Sequence, residues 1–131
     1  MPKFLEYYRA EQARHPDIAQ KRISQKNIER VLARFWHDYG VRPLPVEFES
    51  EGCSWLVWDG PDRRIIYGKN RYVRVVLHEL AHYLDIRWRE GQILLARTQA
   101  EKDRILNMKW HCNRHADLMD GLVVWWRKWY R

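Results

Sequence analysis

The chain has 131 residues, of which 46% are hydrophobic, and it carries 24 Lys and Arg against 17 Asp and Glu, a formal net charge of +7. This length predicts one domain over residues 1–131 with a single hydrophobic core. No run of 18 apolar residues occurs, which excludes a membrane-spanning helix. Since residues 1–8 contain no apolar signal segment, we expect a cytoplasmic protein, or one in the host cytoplasm if a phage encodes it. The positive charge favours a polyanionic partner such as DNA.

The first third of the chain is predicted to be helical. Residues 3–14 have a helical composition that ends at a His-Pro pair. A second helix is predicted from Ser24, a good N-cap residue, to Tyr39, with apolar residues at helical spacing between them. Gly40 is placed to end this helix.

The central segment changes to a period of two residues, which is typical of strands. We predict strands over residues 44–49, 54–58 and 63–67. Turn residues separate them, with the strongest turn signal at Asp59-Gly60-Pro61-Asp62. Because short turns favour antiparallel pairing, the prediction is a three-stranded antiparallel meander.

The most informative motif is His78-Glu79-Leu80-Ala81-His82. It lies in a predicted amphipathic helix from about Asn70, a plausible N-cap, to Arg87. Residues four apart on a helix share one face, so both imidazoles can reach one Zn²⁺. Glu79 then lies beside the metal, where a carboxylate can take a proton from bound water.

Two more helices are predicted after the motif. The segment 88–107 is helical in character but charged, and the segment 110–129 has an apolar stripe at helical spacing. The predicted order is N-terminal helix, meander, motif helix and C-terminal helices. We therefore expect an α+β fold with the sheet packed on helices.

A catalytic zinc site needs a third protein ligand and one open position. The downstream candidates are Asp85, Glu101, His111 and His115. Asp85 lies on the motif helix about 10 Å beyond His78, too far for both to meet one ion, and is expected outside the ligand set. Glu101 lies in a strongly polar segment that suits an exposed ion pair. We favour His111 as the third ligand, with His115 and Glu101 as alternatives.

Three segments of the chain resemble a known family. Arg64-Ile65-Ile66-Tyr67 followed by Val75-Val76-Leu77-His78-Glu79-Leu80-Ala81-His82 is similar to the SprT/Spartan-like zinc metallopeptidases, in particular their short stand-alone actinobacterial and phage members. Those proteins place a third histidine in an H-G-x-x-F-like segment that opens the next helix. His111-Cys112-Asn113-Arg114-His115 occupies that place, with cysteine for the glycine and histidine for the aromatic residue. The resemblance covers roughly residues 24–125.

The resemblance implies a zincin-like fold and zinc-dependent hydrolysis of peptide bonds. It also implies that the strand before the motif helix, Arg63 to Tyr67, pairs with an extended protein or peptide substrate by β-augmentation. Spartan-like members act on proteins attached to DNA, and the charge of the chain is compatible with such substrates.

These observations lead to a mechanistic hypothesis. Zn²⁺ held by His78, His82 and His111 lowers the pKa of its bound water. Glu79 accepts the proton and delivers it to the leaving amine. The developing oxyanion needs a further hydrogen-bond donor, and the candidates are His115, Arg114 and Tyr83.

Two other functions remain open from the sequence. One is a nucleic-acid-binding module with a structural zinc, in which Cys112 could be a fourth ligand and the aromatic-basic segment 125–131 could stack on bases. The other is a zinc hydrolase that acts on a carbonyl other than that of a peptide. Neither the oligomeric state nor the protein substrate follows from the sequence.

Overall fold

The computed structural model describes residues 3–58 and 61–130. Its elements are α1 (Lys3–Arg14), α2 (Pro16–Ala19), α3 (Gln25–Tyr39), β1 (Val46–Phe48), β2 (Trp55–Val57), β3 (Arg64–Tyr67), α4 (Val73–Leu95), α5 (Gln99–Leu106) and α6 (Asn113–Trp129). The described chain is α+β, as predicted. The predicted turn residues Asp59 and Gly60, and residue 131 of the aromatic-basic segment, lie outside the described residues.

The N-terminal helices follow the local signals in the sequence. The Ser24 hydroxyl accepts a hydrogen bond from the backbone N–H of Asn27 (3.2 Å), which caps α3 as predicted. Gly40 ends α3 with φ at +60°, a left-handed conformation that glycine adopts without steric cost. The predicted helix over residues 3–14 is α1, and a short helix, α2, begins at Pro16.

The predicted antiparallel meander is wrong. The sheet has the order β1-β3-β2, with β1 parallel and β2 antiparallel to β3. The segment between β1 and β2 passes around the end of β3, where the backbone N–H of Lys69 donates to the carbonyl of Gly52 (3.2 Å). The physical reason is burial. Ile65, Ile66 and Tyr67 are each at most 3% exposed, so β3 is covered on both faces and takes the central position.

Helix α4 begins two residues later than predicted. Tyr72, not Asn70, is its N-cap residue, and Val73 is its first helical residue. Tyr72 forms an antiparallel bridge with Arg22, and the backbone N–H of Val73 donates to the carbonyl of Lys21 (2.9 Å). The residues before α4 are therefore held extended against the segment that follows α2.

The C-terminal helices also differ from the predicted boundaries. Residues 88–95 continue α4 through Gly91, whereas a separate helix from residue 88 was predicted. Residues 107–112 form a loop between α5 and α6, so α6 begins at Asn113 and not at residue 110. This loop places His111 outside any helix, where the tertiary structure must fix its position.

The hydrophobic core lies between α3, β3, α4 and α6. Its fully buried members include Ile28 and Phe35 of α3, Leu77 and Leu80 of α4, and Leu122 of α6. Because these residues cover one side of α4, the opposite side of the helix faces α1 and the loop 107–112. None of the described helices combines the length and apolar content that crossing a membrane requires.

Candidate metal centre

The two histidines of the motif share one face of α4, as the sequence predicted. Nε2 of His78 lies 3.1 Å from Nε2 of His82. His78 is only 2% exposed, and His82 is partly buried. Burial, reinforced by the neighbouring histidines His115 and His78, lowers the pKa of His82 far below its usual range. The imidazole is therefore neutral, which is the form that binds metal ions.

The loop 107–112 brings His111 to the same point. Nε2 of His111 lies 3.2 Å from Nε2 of His82. Zn–N bonds of about 2.0–2.1 Å in a tetrahedral site would separate two ligand atoms by about 3.3 Å. Burial and the nearby His78 lower the pKa of His111 to about 4. Nε2 of His82 thus has Nε2 of His78 and Nε2 of His111 at 3.1 and 3.2 Å, close to the separation of two ligand atoms on one zinc ion.

His115 is the second candidate for the third position. The ligand atoms of His78, His82 and His115 lie within 4.8 Å of one another, close enough to hold a metal ion. Both ring nitrogens of His115 already have partners, however: Nε2 donates to the carbonyl of His78 (3.1 Å), and Nδ1 accepts from the Tyr7 hydroxyl. Burial lowers the pKa of His115 to about 3. The geometry therefore groups His115 with His78 and His82, while the two hydrogen bonds of His115 are the argument for His111 as the third donor.

A carboxylate from the N-terminal helix orients His78. The sequence analysis did not predict this contact. Nδ1 of His78 donates to Glu11 of α1 at 2.9 and 3.0 Å, so the Nε2 lone pair of His78 points at the cluster. Arg74 also donates to Glu11 (2.9 Å). Burial raises the pKa of Glu11, but the hydrogen bonds from His78 and Arg74 outweigh it and hold that pKa below its usual value.

Two tyrosines of α1 complete the wall around the cluster. The ring of Tyr7 stacks on His111 with centroids 4.5 Å apart. The ring of Tyr8 lies 5.1 Å from that of His78 and 5.4 Å from that of His111. Tyr7 and Tyr8 lie four and three residues before Glu11, the helical spacing of one face. That spacing indicates in the sequence that the three side chains share one helix face. The neighbouring residues do not indicate which element this face packs against.

Glu79 lies beside the histidines at the base of an open cleft of about 460 Å³. It is 5% exposed, and burial raises its pKa to about 7. His78 and Arg74 lower that pKa, while the negative charge of Glu11 raises it further. The described residues that line the cleft are Tyr8, Ser54, Trp55, Leu56, Val57, Trp58, Glu79, His82, Ile86, Trp110 and His111.

Strand β2 forms one side of this cleft. The prediction that the strand before the motif helix pairs with substrate is wrong, because β3 has a strand on each side. Among the described strands, β2 has only one neighbour, so its outer edge carries unpaired backbone groups beside Glu79 and His82. A larger groove of about 680 Å³ lies on the other side of Trp58, and no histidine is among its described lining residues.

The other residues singled out in the sequence lie elsewhere. Glu101 belongs to α5, where its carboxylate accepts from the backbone N–H of Arg97 (2.9 Å). Asp85 is fully buried and pairs with Arg89 (3.0 Å). Cys112 is a free thiol, like Cys53. The three predicted oxyanion donors, His115, Arg114 and Tyr83, are absent from the described lining of the cleft.

The donor set has the chemistry of a metal centre. Neutral imidazole nitrogens that face one another have no attraction of their own, and a bound cation would relieve the repulsion between their lone pairs. The described residues therefore fit a divalent ion such as Zn²⁺. Comparisons of the chain with protein-family models, curated protein sequences and solved structures found no match.

Proposed function

We propose that the protein is a zinc metallopeptidase of the zincin-like, SprT/Spartan-like type. In this proposal His78, His82 and His111 are the zinc ligands and Glu79 is the general base. One observation carries it: Nε2 atoms of two histidines lie 3.1 and 3.2 Å from that of His82, beside a buried glutamate at the base of a cleft. This is the ligand number and type of a catalytic zinc site.

The arrangement favours a catalytic zinc over a structural one. A structural site is closed by four protein ligands, whereas a catalytic site keeps one position open. His115 is engaged by Tyr7 and by the carbonyl of His78, and the Cys112 sulfur faces Arg89 at 3.8 Å. In this proposal the two hydrogen bonds of His115 keep it out of the ligand set, the Cys112 sulfur is engaged by Arg89, and one coordination position would stay open toward the cleft.

The reaction follows from the residues around the cleft. A zinc ion at this site would act as a Lewis acid that lowers the pKa of a water molecule and polarises a carbonyl group. Glu79 accepts a proton from the attacking water and returns it to the leaving amine. Glu11 holds the imidazole of His78 in one tautomer and orientation throughout.

Tyr8 is the donor that we assign to the developing oxyanion. It belongs to α1 and lines the cleft together with Glu79, His82 and His111. Burial, followed by the charge of Glu79, raises the pKa of the Tyr8 hydroxyl, which therefore keeps its proton at neutral pH. A protonated hydroxyl can donate a hydrogen bond to negative charge that forms in the cleft.

The substrate is a protein segment in extended conformation. Its backbone would pair with the outer edge of β2, which supplies affinity with little dependence on sequence. The net charge of +7 supports DNA-associated proteins as the substrate class. The fold is compatible with a zincin, since a sheet edge and the motif helix border the same cleft.

The test is metal content together with proteolysis. We expect one equivalent of zinc, cleavage of unfolded casein, and loss of cleavage when a chelator removes the metal. Glu79→Gln should keep the zinc and lose turnover by about 10²–10⁴-fold, the usual contribution of a general base. Zinc binding without cleavage of any protein, with or without single-stranded DNA, would contradict the peptidase and favour a structural site. Stimulation by single-stranded DNA would support the substrate class.

A further inference from the structure

We propose that Arg89 and Asp85 are positioning residues that hold the loop bearing the third histidine. The inference rests on the proposed zinc ligands, because it concerns how His111 is kept in place. His78 and His82 are fixed by the hydrogen bonds of α4, but His111 lies in the loop 107–112, which has no regular secondary structure. A ligand must be held within about 0.5 Å of its productive position, so this loop needs a support.

Arg89 supplies that support from α4, two turns beyond His82. Its Nη1 donates to the carbonyl of Met108 (2.8 Å), and its Nη2 donates to the carbonyl of Lys109 (2.5 Å). The guanidinium also lies 4.5 Å from the centroid of the Trp110 ring. One side chain thus contacts the three residues that immediately precede His111.

The same guanidinium reaches the residue that follows His111. Its Nη2 lies 3.8 Å from Sγ of Cys112, which is the N-cap residue of α6. Arg89 is only 4% exposed, so water does not compete for these hydrogen bonds. A planar group with five donors can bind two carbonyls and a carboxylate at once, which a lysine ammonium cannot do in this geometry.

The carboxylate of Asp85 balances the positive charge of the buried Arg89. This carboxylate accepts from Nε of Arg89 (3.0 Å) and is itself completely buried. A buried guanidinium without a carboxylate partner would be strongly destabilising. The second oxygen of Asp85 lies 3.5 Å from Nη1 of Arg114, whose guanidinium stacks on Trp88 (3.2 Å to the ring centroid). Asp85 therefore fixes the orientation of Arg89 and links it to α6.

An apolar residue at position 89 would fill the same space but would leave the two loop carbonyls unpaired. The hydrogen bonds of Arg89 connect the helix that carries two ligands to the loop that carries the third. Replacement of Arg89 should therefore lower the metal affinity, in addition to any effect on the stability of the fold. Residues that orient ligands in this way typically contribute about 10–100-fold in metal affinity.

The experiment measures Zn²⁺ affinity by competition with a chromophoric chelator in wild type, Arg89→Lys, Asp85→Asn and a core control. The control is Leu122→Ala, which removes a fully buried side chain on α6, ten residues beyond the end of the loop. Circular dichroism and denaturant unfolding of each metal-free variant show that it is folded and how much stability it has lost. The Co²⁺ absorption spectrum reports the coordination geometry independently of activity.

We expect Arg89→Lys and Asp85→Asn to bind Zn²⁺ at least tenfold more weakly and to change the Co²⁺ spectrum. Leu122→Ala should keep the affinity of wild type within about twofold, despite a loss of stability that is comparable or larger. Wild-type affinity in both Arg89→Lys and Asp85→Asn would overturn the inference, as would an equal loss in Leu122→Ala. His111→Ala separates the two proposals: if it binds Zn²⁺ like wild type, the proposed ligand set itself is wrong.

Discussion

The carboxylate of Glu11 lies 2.9 Å from Nδ1 of His78, although 67 residues separate them in the sequence. This contact joins the N-terminal helix to the motif helix directly beside the histidine cluster. Arg74, one turn before His78 on α4, donates to the same carboxylate (2.9 Å). Glu11 thus orients the imidazole of His78, while the guanidinium of Arg74 balances the buried negative charge of Glu11.

Replacement of Glu11 by Gln should weaken zinc binding by about 10–100-fold, because the amide accepts from His78 less strongly and leaves Arg74 without a counter-charge. Competition with a chromophoric chelator measures the change. Glu6→Gln is the matched control, since Glu6 is an exposed glutamate of the same helix. If both variants bind zinc like wild type, Glu11 does not orient the ligand.

The parts of the fold that depend on local chemistry could be predicted from the sequence. Ser24 and Gly40 mark the ends of α3 because a hydroxyl cap and a left-handed glycine act within one helical turn. The pairing of His78 with His82 is equally local, since four residues make one turn of a helix. Both predictions concern structure that is determined by residues within one helical turn, without contacts to distant parts of the chain.

The order of the strands depends on distant contacts and could not be predicted from turn lengths alone. Ile65, Ile66 and Tyr67 are consecutive and buried, a pattern typical of a central strand. That pattern is visible in the sequence, but the short turns fit antiparallel neighbours equally well, so local signals do not decide the strand order. The substrate edge was predicted from the family resemblance, which points to the strand before the motif helix, residues 63–67. In the structure that strand is central, and among the described strands the edge beside the cleft belongs to β2.

The residues that surround the candidate metal centre were the least predictable part of the site. Glu11 and Tyr8 reach the site only because α1 packs against α4, and Arg89 matters only because the loop 107–112 returns to its side chain. These contacts join segments that are far apart in the sequence, and no rule of residue spacing predicts them. His111 could be proposed as a ligand from its order along the chain, whereas the residues that hold its loop could not be predicted.

Asp38 should make the fold more stable at neutral pH than in acid. Its carboxylate accepts from Nε of Arg34 (2.8 Å) and from Nε1 of Trp125 (2.9 Å), which links α3 to α6. Hydrogen bonds from Arg34, Trp125 and His37, in that order, hold the pKa of Asp38 well below its usual value. A lowered pKa in the folded state adds stability above the unfolded pKa of about 4, and this stability is lost as the pH falls further.

Asp38→Asn should therefore unfold at a lower denaturant concentration than wild type at pH 7, and the difference should shrink as the pH falls below about 4. Urea unfolding at a series of pH values gives both curves. Trp125→Phe keeps an aromatic ring but removes one donor to Asp38, so it should reproduce part of the loss. Equal stability of Asp38→Asn and wild type at pH 7 would contradict the assigned role.

Trp55 should contribute to substrate binding rather than to the fold. It is the first residue of β2, lines the cleft and is 51% exposed. Trp58 and Trp110 line the same cleft, so its wall presents apolar surface that a bound protein segment would cover. We expect Trp55→Ala to raise KM about tenfold, equivalent to about 1.4 kcal/mol, with kcat within about twofold of wild type. Leu106→Ala removes another exposed apolar side chain, 64% exposed and outside the described lining of the cleft, and should leave KM unchanged. A normal KM in Trp55→Ala would argue against binding along β2.

Tyr8→Phe should lower kcat and leave the zinc in place. The hydroxyl is assigned to the transition state, in which negative charge forms on the carbonyl oxygen, so its removal should affect kcat by about 10²-fold and KM little. The ring packing against His78 and His111 remains in the variant, so zinc affinity should stay within about twofold of wild type. Tyr39→Phe on α3 is the matched control, because it removes a partly buried hydroxyl outside the described lining of the cleft. A kcat equal to that of Tyr39→Phe would show that another group stabilises the oxyanion, whereas a loss of zinc would show that Tyr8 supports the ligands instead.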